Sequence, residues 1–305
     1  MRTKQPPYAT TIVRAPRLCD RLGLDVVVVS ETFQETGSFK FRAAWNVVNA
    51  VEQELLLTAS SGNFGQALAR ACQLAGKRAI VVMPSGAPGI KRQAVLDYGA
   101  ELDLFDPAES SRARRLEEIA AAHPDGYAAS PYDDPLIIAG NASLGREIAR
   151  RLPECDAVLV PVGGGGLASG ILTGLREEGS TAAVWGAEPL LANDAARSLR
   201  SGRIERSEGE PPTLADGART PSLGEHNWAI LKDGLAGIVE VPEEAIASGV
   251  RRLFLDANLK AEPTGALGVG ALLTEPDRFR DARVAVVVSG GNVDPGLYAR
   301  LVTEP

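Results

Sequence analysis

The chain has 305 residues, of which 45% are hydrophobic and 23% are charged. This balance is typical of a globular protein with a large buried core and argues against a fibrous or disordered chain. The formal net charge of −7 argues against a nucleic-acid-binding protein, whose affinity depends on basic groups that neutralise phosphates.

The cysteine and histidine content excludes two further classes. Three cysteines are odd in number and widely spaced, so they predict neither a disulfide framework nor a zinc site, and two histidines cannot build a multi-histidine metal centre. Residues 1–10 lack the apolar core of a signal peptide, and no apolar run reaches membrane-spanning length. We therefore expect a cytoplasmic protein with no membrane partner.

Short β-branched runs alternate along the chain with amphipathic stretches. The runs predict buried strands at 26–29, 79–83, 157–160, 182–186 and 284–288. The amphipathic stretches predict helices at 65–74, 110–122, 144–151, 167–177 and 243–255. Residues 200–212 have the composition of a loop. This alternation predicts a doubly wound α/β fold, in which ligands bind at the carboxyl ends of the strands.

Lys40 is one of six lysines and follows Gly37 and Ser38 at the start of a predicted helix. Gly37 and Ser38 are expected to form the turn and the cap of that helix. The positive end of the helix dipole and nearby Arg42 would then keep the amine partly unprotonated, as a lysine that bonds to a carbonyl requires. The ordinary alternative is a solvated surface lysine.

Four consecutive glycines, Gly163, Gly164, Gly165 and Gly166, lie between a predicted strand and a predicted helix. Their backbone N–H groups can form a cradle for an anion at the helix N-terminus. The spacing differs from both the dinucleotide fingerprint and the P-loop, so a small phosphate fits better than a nucleotide. A tight strand-to-helix turn is the alternative.

Two further loops have polar groups where predicted strands end or helices begin. Ser60, Ser61, Gly62 and Asn63 can bind a carboxylate through their N–H and hydroxyl groups, or can simply cap a helix. Ser289 can hydrogen-bond a ring nitrogen, or belong to a plain turn.

A third loop carries acidic residues. Glu188 and Asp194, with the carbonyl of Ala192, have the oxygen ligands that suit Mg²⁺ or Ca²⁺. Two neighbouring acids on a loop are more often only solvated.

Six strings in order resemble the fold type II pyridoxal-phosphate enzymes, in the serine/threonine dehydratase (ammonia-lyase) and serine racemase branch. They are TGSFKFR at 36–42, SSGNFG at 60–65, PVGGGGL at 161–167, TLADG at 213–217, EPTGA at 262–266 and SGGN at 289–292. The resemblance implies a tryptophan synthase β-like fold of two doubly wound α/β domains with pyridoxal 5'-phosphate in the cleft between them. It implies a large domain of residues 1–53 and 133–305, a small mobile domain of residues 54–132, and a homodimer.

The resemblance also implies roles for individual residues. Lys40 would bond to the cofactor and act as the base, and Ser61 would serve the opposite face of the α-carbon in a racemase. The other cofactor-binding residues would be Phe39, Asn63 at the ring hydroxyl, Gly163, Gly164, Gly165, Gly166 and Leu167 at the phosphate, Glu262, Ser289 at the ring nitrogen, and Gly290. The substrate-binding residues would be Ser60, Ser61, Gly62 and Asn63, and the divalent cation would bind Glu188, Ala192 and Asp194.

The function expected from this resemblance is an ammonia-lyase acting on L-threonine, L-serine or a β-substituted relative, which gives a 2-oxo acid and ammonia. The alternatives are a serine or amino-acid racemase, a β-replacement enzyme or synthase on the same scaffold, and a non-catalytic binding module. A nicotinamide dehydrogenase is disfavoured because the dinucleotide fingerprint is missing.

Three single residues and one short string depart from the pattern of the family. Phe64 stands where relatives often have histidine, Ala43 where a glycine is usual, and AGNAS at 139–143 replaces the common AGQGT. Tyr132 stands where serine racemases have asparagine and dehydratases have an aromatic residue. These positions are expected to border the substrate, and Tyr132 favours the dehydratase.

Overall fold

The computed structural model describes residues 6–87 and 89–304. Residues 1–5 and 305, which the resemblance places in the large domain, lie outside the described residues. Residues 1–5 are also half of the segment 1–10, whose sequence argues against a signal peptide. Within the described ranges, none of the helices combines the length and the apolar character needed to cross a membrane.

The described strands and helices alternate along most of the chain. The strands are β1 (Thr11–Arg14), β2 (Asp25–Ser30), β3 (Leu55–Ala59), β4 (Arg78–Pro84), β5 (Glu101–Phe105), β6 (Tyr127–Ala128), β7 (Ala157–Pro161), β8 (Ala183–Pro189), β9 (Gly237–Val241) and β10 (Arg283–Val288). The helices are α1 (Pro16–Leu22), α2 (Lys40–Ala50), α3 (Asn63–Ala75), α4 (Gly89–Leu96), α5 (Arg112–Ala122), α6 (Pro135–Arg151), α7 (Gly166–Glu177), α8 (Asp194–Ser201), α9 (Glu225–Leu231), α10 (Glu243–Ala257), α11 (Pro263–Thr274) and α12 (Pro295–Thr303).

The strands form two sheets. The larger has six strands in the order β1-β2-β10-β7-β8-β9, parallel except for β1 at one edge. The smaller has four parallel strands in the order β5-β4-β3-β6. The central strands β2, β7 and β10 are buried runs of valine and leucine, as expected for a sheet covered on both faces. The predicted α/β fold class is confirmed.

All five strands and all five helices predicted from the sequence are present, with shifted ends. Helix α6 begins nine residues earlier than predicted, at Pro135 instead of residue 144. The Asp134 side chain accepts a hydrogen bond from the backbone N–H of Leu136 and so caps it, with proline in the first turn. The 200–212 loop is irregular apart from its first two residues, which end helix α8.

The four strands of the smaller sheet lie within residues 54–132, the range predicted for the small domain. Its hydrophobic core also includes Phe41 and Val47 of helix α2 and Ile137 of helix α6. Side chains from outside the range therefore complete this core. The domain boundaries and the mobility of the small domain stay predictions.

Helices α6 and α7 pack closely against each other through glycines. A β-carbon at Gly174 would come within 2.1 Å of the backbone oxygen of Ala142, and one at Gly145 within 2.3 Å of the backbone oxygen of Ile171. Only glycine fits such an approach of two backbones. Helix α7 begins at the end of the glycine loop, so this contact fixes the position of that loop.

A buried charge cluster fixes helix α2. The Arg42 side chain is 1% exposed and donates to both carboxylate oxygens of Glu31, which is 0% exposed, at 2.6 and 3.0 Å. It also donates to Glu147 of helix α6 at 2.7 Å and to Ser143 at 3.0 Å. The guanidinium suits this role because its planar fork can bind a carboxylate with two hydrogen bonds. Arg42 therefore does not act on the Lys40 amine as the sequence predicts.

We expect Arg42→Ala to lower the free energy of unfolding by about 3–5 kcal/mol, because it leaves Glu31 buried without a partner. Urea unfolding checks this value. Arg146→Ala is the matched control, since Arg146 lies in helix α6 and forms an exposed pair with Glu177, and its loss is expected to cost less than about 1 kcal/mol. Equal losses in the two variants would contradict the assignment.

Candidate active site

A cavity of about 680 Å³ lies where loops from both sheets meet. It is lined by residues that follow strands β3, β6, β7 and β10, which are the carboxyl ends of parallel strands. Ligands of doubly wound folds bind at such ends. The predicted site residues that line this cavity are Phe39, Lys40, Ser60, Ser61, Gly62, Asn63, Gly163, Gly164, Gly165, Gly166, Leu167, Glu262 and Ser289.

Lys40 is the first residue of helix α2, and its amine is enclosed in the cavity wall. The Nζ atom donates to the backbone oxygen of Pro131 at 2.5 Å. Burial lowers the pKa of Lys40 to about 8, and the carboxyl group of Glu262 opposes part of that shift. The expected tuning of the amine is therefore present, but desolvation is its main cause.

The prediction that Ser38 caps helix α2 is wrong. The residue at the cap position is Phe39, and no side chain caps the helix. Ser38 forms a β-bridge with Gly290, and its hydroxyl has no hydrogen-bond partner among the described residues. Gly290 therefore lies behind the cavity wall and does not line it.

The glycine loop forms a tight turn into helix α7. Gly165 has a φ of 94°, which favours glycine. A β-carbon at Gly164 would lie 2.3 Å from the ring of Tyr132, and one at Gly166 would lie 2.7 Å from the backbone oxygen of Tyr132. Asn227 donates to the backbone oxygen of Gly164 at 2.7 Å. The loop is thus held from outside the cavity, and its amides start helix α7.

Asn63 begins helix α3 and connects the two sides of the cavity. Its amide nitrogen donates to both carboxyl oxygens of Glu262, at 2.9 and 3.1 Å. Its amide oxygen accepts a hydrogen bond from Asn292 at 2.9 Å. Burial raises the pKa of Glu262 to about 8, and the nearby charge of Asp216 adds to this shift. Glu262 therefore carries a proton for much of the time at neutral pH.

The departures from the family pattern fall in two groups. Phe64 and Tyr132 line the cavity, as expected. Ala43 and Asn141 do not: Ala43 packs against Gly140, and Asn141 donates to the backbone oxygen of Gly166 at 3.1 Å. Ser143 also lies outside the cavity, beside Arg42. The AGNAS string therefore does not line the cavity, and its Asn141 supports the glycine loop from outside.

The predicted metal ligands lie away from the cavity, where strand β8 leads into helix α8. The carboxyl oxygens of Glu188 accept the backbone N–H groups of Ala195 and Ala196 at 2.8 Å each. Burial raises the pKa of Asp194 to about 6, and one of its oxygens has no partner among the described residues. No group of three or more acidic, histidine or cysteine ligands exists in the described ranges, so cation binding by Glu188, Ala192 and Asp194 stays a prediction.

Sequence reasoning missed two cationic residues of the cavity. Arg112, the first residue of helix α5, places its guanidinium 3.5 Å from the hydroxyl of Ser61 and makes no ion pair within the described ranges. Lys91 pairs with Asp216 at 3.0 Å. Neither residue stands in a recognisable motif, so only the fold brings them to the site.

The cavity residues fit pyridoxal phosphate, which presents a phosphate, a ring nitrogen and an aldehyde. The glycine loop lies at a helix N-terminus, where anions bind. The hydroxyl of Ser289 is buried and has no partner among the described residues, so it is free to bond with the ring nitrogen. The Lys40 amine, with its lowered pKa, can react with an aldehyde. The fold and the site therefore suit an enzyme that uses pyridoxal phosphate.

Comparison with known proteins agrees with this class. The family model described as "Pyridoxal-phosphate dependent enzyme" matches residues 4–290. The chain is 34% identical over 307 residues to L-threo-3-hydroxyaspartate ammonia-lyase of Saccharomyces cerevisiae, covering 99% of this chain and 93% of the relative. It is 34% identical to serine racemase of Homo sapiens, covering 94% and 87%. The solved T.th. threonine deaminase has a TM-score of 0.88 at 39% identity, covering 94% of each chain.

The chain belongs to the pyridoxal-phosphate-dependent enzyme family, in the group that contains ammonia-lyases and racemases. The resemblance seen in the sequence is confirmed, and so is the fold type II class. Pyridoxal phosphate is the cofactor of this family. The roles of the individual site residues stay predictions.

We expect Ser289→Ala to weaken binding of pyridoxal phosphate roughly threefold to tenfold, because one hydrogen bond to the cofactor is lost. The Tm of the cofactor-free protein should not fall. Fluorescence titration with the cofactor measures the affinity. Ser38→Ala is the matched control, because that hydroxyl is also buried and unpaired among the described residues but does not line the cavity. Equal loss of affinity in both variants would contradict the role of Ser289.

Proposed function

We propose that the protein is an ammonia-lyase that converts a β-hydroxy amino acid such as L-threonine or L-serine to a 2-oxo acid and ammonia. The observation that carries the proposal is the Lys40 amine, with a pKa lowered to about 8, in one cavity with a four-glycine loop at a helix N-terminus. Membership of a family that contains ammonia-lyases supports it.

The cofactor would be held at three points. The amides of Gly163 to Gly166 and Leu167 would bind its phosphate, Ser289 its ring nitrogen and Lys40 its aldehyde carbon. Phe39 and Glu262 would complete the wall, and Asn63 would exchange part of its contact with Glu262 for the ring hydroxyl. When bound, pyridoxal phosphate withdraws electrons from the α-carbon of an attached amino acid and so makes its proton removable.

The substrate would be oriented by the loop of Ser60, Ser61, Gly62 and Asn63. The amides at the start of helix α3 face a carboxylate favourably. The unprotonated Lys40 amine would then take the α-proton as the general base. The β-hydroxyl would leave with a proton as water while a double bond forms between the α- and β-carbons. The resulting enamine would tautomerise to an imine, and hydrolysis of the imine would yield the 2-oxo acid and ammonia.

A neutral serine beside the ring nitrogen would favour loss of the β-group. The same serine belongs to a string that resembles both the dehydratases and the serine racemases, so it supports elimination without separating the two. A hydroxyl does not hold that nitrogen protonated as a carboxylate would, so less charge moves into the ring and loss of the β-group competes better. Ser61, which the racemase needs as its second base, has the Arg112 guanidinium as its neighbour.

The proposal has four further parts. They are a homodimer, a cytoplasmic location, a bound divalent cation, and closure of residues 54–132 over the substrate.

The test is a proton NMR time course in heavy water with L-serine and L-threonine. Wild-type protein is expected to release pyruvate or 2-oxobutyrate, and Lys40→Ala to release neither because both the cofactor bond and the base are lost. The wild-type kcat is expected to fall as the pH is lowered, because protonation of the released Lys40 amine removes the general base. Loss of the α-proton signal without oxo acid would identify a racemase, and oxo acid from Lys40→Ala would contradict the proposal.

One observation favours a second candidate substrate class, β-hydroxy amino acids with a second carboxylate. Arg112 faces the carboxylate-binding loop and makes no ion pair within the described ranges. A guanidinium in that position is suited to a carboxylate on the β-carbon. The yeast relative is named for L-threo-3-hydroxyaspartate, which has this structure.

For this candidate we expect Arg112→Met to lower kcat/KM for L-threo-3-hydroxyaspartate about tenfold to a hundredfold, because a hydrogen bond between two charged groups is lost. The same variant should change kcat/KM for L-threonine little. Arg114→Met is the control, because Arg114 lies in the same helix and pairs with Glu118 on the surface. Equal losses for both amino acids would remove the support for the dicarboxylic substrate.

A further inference from the structure

Two aromatic rings flank the Lys40 amine. The Nζ atom lies 5.0 Å from the centre of the Phe39 ring and 5.8 Å from the centre of the Phe64 ring. Phe39 comes from the segment before helix α2, and Phe64 comes from helix α3 on the other side of the cavity. The amine therefore has an apolar neighbour from each side of the cavity.

Phe64 is held rigidly in this position. Its side chain is 1% exposed and belongs to the hydrophobic core of the smaller sheet. The next residue, Gly65, lies so close to Ser60 that a β-carbon would come within 2.4 Å of the Ser60 backbone oxygen. The first turn of helix α3 is thus fixed against the preceding loop, and the Phe64 ring is fixed with it.

Among the described residues, two polar groups favour the ammonium form of Lys40. They are the backbone oxygen of Pro131 at 2.5 Å and the carboxyl group of Glu262, which faces Lys40 from the start of helix α11. Glu262 is itself influenced by Asp216 and Lys91. Arg42, in the same helix as Lys40, is neutralised by Glu31 and Glu147.

The rings have two opposing effects on the amine. The face of a ring attracts a cation and so favours the ammonium, whereas the exclusion of water favours the neutral amine. For a buried lysine the second effect is the larger. The lowered pKa of Lys40 agrees with a larger effect of water exclusion.

We propose that Phe64 is a positioning residue that keeps Lys40 partly unprotonated near neutral pH by excluding water from its amine. Only the neutral amine has the lone pair that bonds to the aldehyde carbon of the cofactor. In that step the two hydrogens of the amine leave with the aldehyde oxygen as water. The inference deepens the proposed function, because the same neutral amine later accepts the α-proton of the substrate.

The test is the pH dependence of cofactor capture by the full-length protein after its cofactor has been removed. For the wild type we expect the rate of pyridoxal phosphate binding to rise with pH to a midpoint near 8. Phe64→His places a polar ring beside the amine and is expected to move the midpoint upward by roughly one unit. Capture at pH 7 should then be about tenfold slower. The introduced imidazole is mostly neutral above pH 7, so it adds little charge of its own.

Phe64→Leu is the matched control, because it removes the ring but keeps the site apolar. Its midpoint is expected to equal that of the wild type. An unchanged midpoint in Phe64→His, or an equal shift in Phe64→Leu, would overturn the proposal. Phe64→Tyr serves where the histidine variant fails to fold, since one added hydroxyl should shift the midpoint in the same direction, and an unchanged midpoint there would likewise overturn it.

Cofactor capture does not depend on which amino acid is turned over. The readout therefore separates this inference from the proposed function. Normal capture with no oxo acid from any β-hydroxy amino acid would overturn the lyase and leave the role of Phe64 supported.

Discussion

The buried guanidinium of Arg42 connects segments of the chain that the active site needs in fixed positions. It binds Glu31 in the segment before helix α2 and Glu147 in helix α6. Lys40 begins helix α2, and Pro131, whose carbonyl accepts the hydrogen bond of the amine, lies just before helix α6. A buried ion cluster keeps its stability only while each charge has its partner, so these segments stay together. The position of the reactive amine therefore depends on charges that the cofactor never touches.

Much of the larger sheet can be predicted from the sequence because its central strands are continuous apolar runs. Strands β2, β7 and β10 are buried along nearly their whole length, and each carries several β-branched or leucine residues in a row. Strand β5, with the sequence ELDLF, lies at an edge of the smaller sheet, is mostly not buried, and gives no such run. Strand β3 begins with three leucines, which favour a helix as much as a strand. These strands depend on their neighbours in the sheet, which the local sequence does not reveal.

The site residues also divide into those that the sequence predicts and those that only the fold reveals. Lys40, the glycine loop and the loop after strand β3 are contiguous motifs, and the fold brings all of them to one cavity because each follows or adjoins the end of a parallel strand. Phe64 and Arg112 contribute single side chains, and their importance arises only from the distance to Lys40 and to Ser61. Arg42 lies two residues from Lys40 in the chain, yet its side chain binds carboxylates elsewhere. The sequence therefore identifies Lys40 correctly but predicts the wrong charged neighbour for its amine.

The glycine contact between helices α6 and α7 has a consequence for evolution. Any side chain at Gly145 or Gly174 would push away the helix that begins at the glycine loop, so these two positions are expected to tolerate only glycine. The opposite wall of the cavity, with Ser61 and Arg112, comes from loops and helix ends of the smaller sheet and has exposed surroundings. The Ser61 and Arg112 side chains of that wall can therefore change without disturbing the glycine loop. Substrate preference is therefore expected to respond to single substitutions on that wall, in a family whose members include ammonia-lyases and racemases.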